Sequence, residues 1–100
     1  MVPVLPVTAL EDGEMTLCRV AGRDVLICNV YGQHYALDSV CPHAGQPLIG
    51  GRLEGHRLYC PLHRGSFDIR SGSALSAPAS EPVRTFPVLI SAGKVHVEIS

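Results

Sequence analysis

The chain contains no tryptophan, and only 5% of its 100 residues are aromatic. Valine, leucine and isoleucine must therefore fill most of the core, and a chain this short buries only a modest fraction of its unfolded surface. The formal net charge of −1 gives no electrostatic attraction to nucleic acid or to an anionic membrane. These absences argue against a nucleic-acid-binding protein and predict one small domain over residues 1–100.

Long hydrophobic runs are missing as well. No stretch approaches the roughly 20 apolar residues that span a bilayer, and residues 1–6 lack the basic start and continuous apolar run of a signal peptide. No segment sustains the apolar period of an amphipathic helix. We therefore expect no membrane association, a cytoplasmic location and a fold without major helices.

Short apolar segments separated by turn dipeptides predict an all-β fold. Ala21-Gly22 and Ala92-Gly93 are expected hairpin turns. Pro87 has no backbone donor, so its strand is expected to begin there or to lie at a sheet edge. The predicted strands are residues 15–20, 23–30, 33–38, 52–53, 57–59, 86–90 and 94–99.

Two cysteine–histidine pairs lie in the Gly/Pro-rich middle of the chain. Cys41 and His43 form the first pair, and Cys60 and His63 form the second after sixteen intervening residues. Two thiolates and two imidazoles can hold a [2Fe-2S] cluster. They can also hold a structural zinc ion, although the close spacing of the first pair makes binding of all four side chains to one ion tight. A chance grouping is the third interpretation.

The mixed donor set matters for redox chemistry. Four thiolates make an oxidised [2Fe-2S] cluster a dianion, whereas two thiolates and two neutral imidazoles leave it uncharged. An electron is added more easily to a neutral centre than to a dianion. The potential therefore rises from about −400 mV for all-cysteine plant-type centres to about −150 to +300 mV.

The segment 41–67 resembles the Rieske ferredoxin family, in which Cys-x-His and Cys-x-x-His occur at this spacing. The resemblance implies a Rieske fold, with an antiparallel β-sandwich or barrel-like base and a small inserted cluster-binding subdomain at about 40–67. It also implies one [2Fe-2S] cluster whose imidazole ligands lie at the protein surface, where electrons leave. The implied ligands are Cys41 and Cys60 on one iron, and His43 and His63 on the other.

Flanking residues match the same family. Gly45 and Gly65 occupy positions where the family has glycine turns, whose backbone amides approach the cluster sulfurs. Pro78, between Ala77 and Ala79, resembles the proline loop that covers the cluster, here at about 75–80.

Four positions depart from the respiratory branch of the family. Gln46 and Leu62 stand where that branch has the two cysteines of a bracing disulfide. Gly65 and Phe67 stand where it has a serine and a tyrosine whose hydroxyls raise the potential. Ser66 is one residue out of register and is not counted as the same donor. The resemblance therefore implies an unbraced, lower-potential electron carrier.

Similar stand-alone proteins carry single electrons from a flavoprotein ferredoxin reductase to a terminal Rieske non-haem iron oxygenase, so we expect an electron-transfer component and not an enzyme. A small subunit of an assimilatory nitrite reductase is an alternative, and a zinc-stabilised interaction module is another. Arg64 beside His63 is either part of a docking surface or an ordinary solvated charge.

The remaining cysteines and histidines are expected to be structural. Cys18 and Cys28 lie in apolar, strand-like segments without ligand spacing and are interpreted as buried free thiols. His34, His56 and His96 also lack ligand spacing and are expected to be surface or half-buried side chains.

Overall fold

The computed structural model describes residues 1–42, 45–61, 65–77 and 79–99. Within these ranges the chain forms eleven strands and no helix, which confirms the all-β prediction. None of the described residues belongs to a helix long and apolar enough to cross a membrane. The strands are β1 (Val2–Pro6), β2 (Met15–Val20), β3 (Arg23–Val30), β4 (Gln33–Asp38), β5 (Arg52–Glu54), β6 (Arg57–Tyr59), β7 (Ser66–Asp68), β8 (Ala74–Ser76), β9 (Thr85–Phe86), β10 (Val88–Ser91) and β11 (Lys94–Val97).

The strands form three antiparallel sheets. The terminal sheet has the order β1-β11-β10, the central sheet β2-β3-β4-β9, and the loop sheet β5-β6-β7-β8. The loop sheet is a simple meander in which each strand pairs with the next along the chain. This sheet lies in the part of the sequence that contains the second cysteine–histidine pair.

Strand β3 is buried on both faces from Val25 to Val30. Because successive side chains point to opposite faces, Leu26 and Cys28 pack into a core shared with the loop sheet. Val25 and Ile27 pack into a second core shared with the terminal sheet. The central sheet is therefore the middle layer, and it supports the loop sheet on one side.

Three tight turns connect the hairpins. At each turn two successive residues adopt positive φ, the geometry of a type I′ turn, whose twist matches that of the flanking strands. The first two turns connect β2 to β3 and β3 to β4, and the third connects β10 to β11. The turn residues are Ala21-Gly22, Tyr31-Gly32 and Ala92-Gly93.

The prediction of one strand over 86–90 is wrong, because the chain changes sheets at Pro87. Strand β9 ends just before this residue and pairs with β4, whereas β10 begins just after it and pairs with β11. Proline has no N–H to donate to a ladder, so the break falls where the hydrogen-bond pattern must stop. The last strand ends at Val97 and not at residue 99.

Three strands have no counterpart in the sequence prediction. Strand β1 contains Pro3 and Pro6, which obscure its pattern, and it forms the edge of the terminal sheet beside β11. Strands β7 and β8 are only three residues long and lie among serine and glycine residues. The covering loop expected at about 75–80 therefore begins within β8, an edge strand of the loop sheet.

Candidate metal centre

The first cysteine loop, residues 41–46, leaves the central sheet just after β4. Cys41 is 1% exposed. Its N–H donates to the carbonyl of Gln46 at 2.8 Å, and its own carbonyl accepts the N–H of Gly45 at 2.8 Å. Gly45 has φ of 66°, so a glycine suits this turn as the sequence predicts. An isolated bridge between Val40 and Pro47 closes the base of the loop.

The second cysteine loop, residues 60–65, connects β6 to β7. Cys60 is 3% exposed, and its N–H donates to the carbonyl of Gly65 at 2.9 Å. The pair formed by Tyr59 and Ser66 closes its base. Each loop is thus closed in the same way, with the cysteine N–H bonded to the carbonyl of the fifth residue after it.

Both cysteines belong to one buried core, although they lie nineteen positions apart in the sequence. That core also contains Leu48, Leu58 and Phe67, and it excludes water from the protein side of the two loops. Two thiolate donors held in one apolar core suit soft metal centres such as iron–sulfur clusters or zinc. The residues present therefore fit a cluster that bridges the two loops.

Several residues of the predicted site lie outside the described part of the chain. His43 and His63, the predicted imidazole ligands, belong to this group, and so do Leu62, Arg64 and Pro78. The predictions made for them stand as predictions. Among the described residues, no three His, Cys, Asp or Glu side chains cluster as a metal site.

Glycines bring the pieces of the site into close contact. A Cβ on Gly65 would lie 2.9 Å from the Cβ of Ala79, so the turn that ends at Ala79 rests directly on the second cysteine loop. Gly51, just before β5, lies against the backbone carbonyl of Tyr59. Sequence reasoning identified Gly65 but assigned no role to Gly51. The Gly50-Gly51 pair is the only sequence signal that could have suggested it.

The hydroxyl of Ser66 belongs to a side-chain network. It accepts a hydrogen bond from Nε of Arg57 at 2.9 Å and lies 2.7 Å from the hydroxyl of Ser76, where either oxygen can donate. Ser66 is fully buried. Phe67, the next residue, points into the core that contains both cysteines and brings no hydroxyl there. Sequence reasoning did not anticipate the network, because it depends on cross-strand pairing.

The other two cysteines are free thiols on opposite faces of the central sheet. Cys28 lies in the core shared with the loop sheet, and Cys18 packs against the core shared with the terminal sheet. Burial raises the pKa of the Cys28 thiol to about 12 and also raises that of Cys18. Cys28 is buried as predicted, whereas Cys18 is only half-buried.

The remaining histidines differ in their surroundings. His34 is buried, and neither of its ring nitrogens has a hydrogen-bond partner among the described residues. Burial lowers its pKa below the ordinary value. The half-buried ring of His56 makes edge contacts with Tyr31 and Tyr35. His96 is half-buried, with Nδ1 3.2 Å from the carbonyl oxygen of Lys94.

Comparison with known proteins supports the same centre. The Rieske [2Fe-2S] domain family matches residues 1–87. The ferredoxin component of a naphthalene 1,2-dioxygenase system from Pseudomonas aeruginosa is 35% identical over 91 residues, which cover 91% of this chain and 88% of that protein. The ferredoxin component of a biphenyl 2,3-dioxygenase from Rhodococcus jostii is 37% identical over 90% of this chain and 84% of its own length.

Solved structures of ferredoxins have the same fold as this chain. A ferredoxin from Sphingomonas yanoikuyae B1 superposes with a TM-score of 0.92 at 31% identity, covering 99% of this chain and 98% of that one. The ferredoxin in a complex with the oxygenase of carbazole 1,9a-dioxygenase gives a TM-score of 0.91 at 28% identity, over 97% of this chain and all of the other.

The alternatives raised by the sequence gain no comparable support. A putative nitrite reductase small subunit superposes with a TM-score of 0.83 over 98% of this chain and 97% of that one, but at 17% identity, which shows the fold alone. Neither a zinc site nor a chance grouping explains a family match that spans most of the chain. With its two cysteine loops and its three-sheet architecture, the chain belongs to the Rieske [2Fe-2S] domain family and carries one Rieske-type cluster.

Proposed function

We propose that this protein is a ferredoxin that carries single electrons from a flavoprotein ferredoxin reductase to a terminal Rieske non-haem iron oxygenase. The observation that carries the proposal is the pair of identically closed cysteine loops in one buried core, on a chain whose relatives are ferredoxin components of dioxygenase systems. The protein is an electron-transfer component and not itself an oxygenase.

The ligands we assign are Cys41 and Cys60 on one iron and His43 and His63 on the other. The two cysteines support this assignment because they are buried together at the bases of the two loops. The bound cluster supplies one-electron redox chemistry. The buried thiolates would hold one side of it away from water, and the closure bond of each loop fixes the backbone of its own cysteine.

The described residues support a potential in the lower part of the Rieske range. Phe67 directs an apolar ring into the core beside the cysteines, and the hydroxyl of Ser66 is engaged by Arg57 and Ser76. Gly65 carries no side chain. Hydrogen bonds to the thiolates or sulfides would stabilise the reduced state, and neither Gly65 nor Phe67 provides a hydroxyl for that purpose.

We propose that residues 1–100 act as a single Rieske domain, with a cluster-binding subdomain at about 40–67 and a covering loop at about 75–80. The contact between Gly65 and Ala79 supports the covering role of this second segment. A cytoplasmic location fits both a reductase-dependent carrier and the free thiols of Cys18 and Cys28.

Reconstitution tests the function. Purified protein should be red-brown, show a rhombic EPR signal on reduction, and couple a ferredoxin reductase to an aromatic-ring dioxygenase of the naphthalene type. Omitting this protein should abolish electron delivery. Normal turnover without it, or a colourless, EPR-silent protein after expression with adequate iron, would contradict the proposal.

Substitution of the ligands tests the assignment separately. Cys60→Ser and His63→Ala should each lose the native absorption and EPR spectra, because each removes one of four ligands. Cys18→Ser is the matched control and should keep both spectra. A Cys60→Ser protein with an unchanged spectrum would refute the ligand set while leaving the family membership intact.

A further inference from the structure

A row of side chains crosses the whole loop sheet where the second cysteine loop leaves it. Arg52, Tyr59, Ser66 and Ser76 stand opposite one another in the register of β5 to β8. Tyr59 and Ser66 are the residues that immediately flank this loop. Contacts that hold these four side chains in place therefore also hold the base of the loop that contains Cys60.

Arg57 ties the row together from the same face of the sheet. It lies two positions before Tyr59 on β6, so both side chains point to one side. Its Nε donates to the Ser66 hydroxyl at 2.9 Å, and that hydroxyl is 2.7 Å from the hydroxyl of Ser76. Ser66 is fully buried and the bond itself is part-buried, so loss of the charged donor would leave the buried hydroxyl with Ser76 as its remaining partner in the network.

The ring of Tyr59 helps to hold Arg57 in place. The guanidinium of Arg57 lies 5.4 Å from the ring centroid, and that of Arg52 lies 4.3 Å from it. Both distances fall within the roughly 6 Å range of a cation–π interaction. The orientation of Arg57 is therefore set by two independent partners, one aromatic and one hydroxyl.

The network continues into the turn that ends at Ala79 and contacts the second cysteine loop. The backbone carbonyl of Ser76 accepts the N–H of Ala79 at 3.1 Å. Ala79 is 8% exposed and packs on Gly65, whose carbonyl in turn accepts the N–H of Cys60. A continuous path of bonds and contacts thus leads from Arg57 to the loop that holds Cys60.

We propose that Arg57 is a positioning residue that acts through Ser66 and Ser76 to clamp the turn ending at Ala79 onto the second cysteine loop. The clamp limits the access of water to the Cys60 side of the bound cluster. This inference rests on the proposed role of Cys60 as a ligand.

The clamp has a predictable effect on the midpoint potential. Two thiolates and two neutral imidazoles leave the oxidised cluster uncharged, so the reduced cluster carries the greater charge. Water stabilises the more highly charged state. Loosening the clamp while keeping the arginine charge should therefore raise the potential.

Two variants break the clamp and keep the positive charge. Ser66→Ala removes the shared hydroxyl, and Arg57→Lys removes the Nε donor. Hydrogen exchange on the oxidised holoprotein should show the Ala79 amide exchanging about tenfold faster in both variants, since a lost charge-assisted bond shifts the opening equilibrium by that order. Both variants should also have a higher midpoint potential by redox titration.

Ser73→Ala is the matched control. It removes another serine–serine contact in the same hairpin, the 3.0 Å bond between Ser71 and Ser73, which lies in an exposed turn. Exchange at Ala79 and the potential should both match the unsubstituted protein. If Ser66→Ala does not fold, Ser76→Ala takes its place.

Ala79 exchange that is unchanged in the clamp variants overturns the proposal, and so does a potential that is unchanged or lowered. Equal effects in Ser73→Ala also overturn it, because they would indicate general loosening of the hairpin. The exchange rate of the Ala79 amide reports on opening of the turn and not on the identity of the cluster ligands. Its outcome is therefore distinct from that of the Cys60→Ser spectrum, which decides whether Cys60 is a ligand.

Discussion

Gly51 lies so close to the backbone carbonyl of Tyr59 that a Cβ on Gly51 would overlap the oxygen. Gly51 lies five residues after the first cysteine loop and directly precedes β5, and Tyr59 directly precedes Cys60. The contact therefore holds the segment that follows the first loop against the start of the second loop through backbone atoms, which cannot move aside as a flexible side chain can. A bridged cluster requires the separation of the two loops to be fixed.

We predict that Gly51→Ala destabilises the protein by about 1–3 kcal/mol, the usual cost of forcing extra atoms into a packed site, and lowers cluster occupancy. Iron content per protein and the free energy of unfolding in urea measure the two effects. Gly22→Ala is the control: it introduces backbone strain of about 1 kcal/mol in a turn with open space around it. Full occupancy is expected there, and equal loss in both variants would contradict the role of Gly51.

Leu48 is fully buried in the core that contains both cysteines, whereas Ile27 is fully buried in the other core. Leu48→Ala and Ile27→Ala should each cost about 2–5 kcal/mol. We expect only Leu48→Ala to accelerate the loss of visible absorbance on exposure to a chelator under native conditions. Similar rates in the two variants would show that cluster release follows global stability instead of local packing.

Cys28 should be chemically inert in the folded protein. Its pKa of about 12 keeps the thiol protonated far above neutral pH, and the thiol is the weak form of the nucleophile. We expect no alkylation of Cys28 by iodoacetamide at pH 8 under native conditions, and full alkylation in denaturant, as read by mass spectrometry. Cys28→Ala should keep the native EPR spectrum, and loss of that spectrum would identify Cys28 as a ligand.

His34 should make the stability of the fold depend on pH. Burial lowers its folded-state pKa below the unfolded value of 6.5, so the unfolded chain binds more protons between the two values. The contribution of the neutral ring is fully present above pH 6.5 and is lost as the pH falls toward the folded pKa. As the pH falls below 6.5, the free energy of unfolding of His34→Phe should therefore rise relative to that of the unsubstituted protein, by up to about 1.4 kcal/mol per pH unit.

Urea unfolding from pH 7.5 to 5 measures this difference. His96→Phe makes the same substitution at a half-buried position and is the control for the added aromatic ring. A His34→Phe difference that stays constant across the range would contradict the assignment of the pH dependence to the buried ring.

The sequence was most informative where the chemistry depends on few residues at fixed spacing. The spacing of the cysteine–histidine pairs predicted the two cysteine loops, because metal ligands leave a local signature. Short apolar segments separated by turn dipeptides predicted β2, β3 and β4 with their observed bounds. The expectation that a strand begins at Pro87 or lies at a sheet edge is confirmed, because β10 begins at Val88 and is an edge of the terminal sheet. Prediction failed at Phe86, which belongs to β9 in the central sheet. A local pattern does not state which strand a segment pairs with.

The supporting contacts were beyond the sequence for the same reason. Arg57, Ser66 and Ser76 come together only through the register of three short strands. Gly51 and Tyr59 come together only because β5 and β6 pair as a hairpin. Residues that act through long-range pairing have no characteristic neighbours in the sequence, so the structure is needed to find them.

The matched closure of the two cysteine loops has a consequence for how the protein matures. The hydrogen bonds from Cys41 to Gln46 and from Cys60 to Gly65 use backbone groups alone, so they need no metal to form. The conformational entropy of shaping the loop bases is thus lost when the chain folds and not when iron and sulfide arrive. We therefore expect a protein stripped of its cluster to take up iron and sulfide again without first being unfolded.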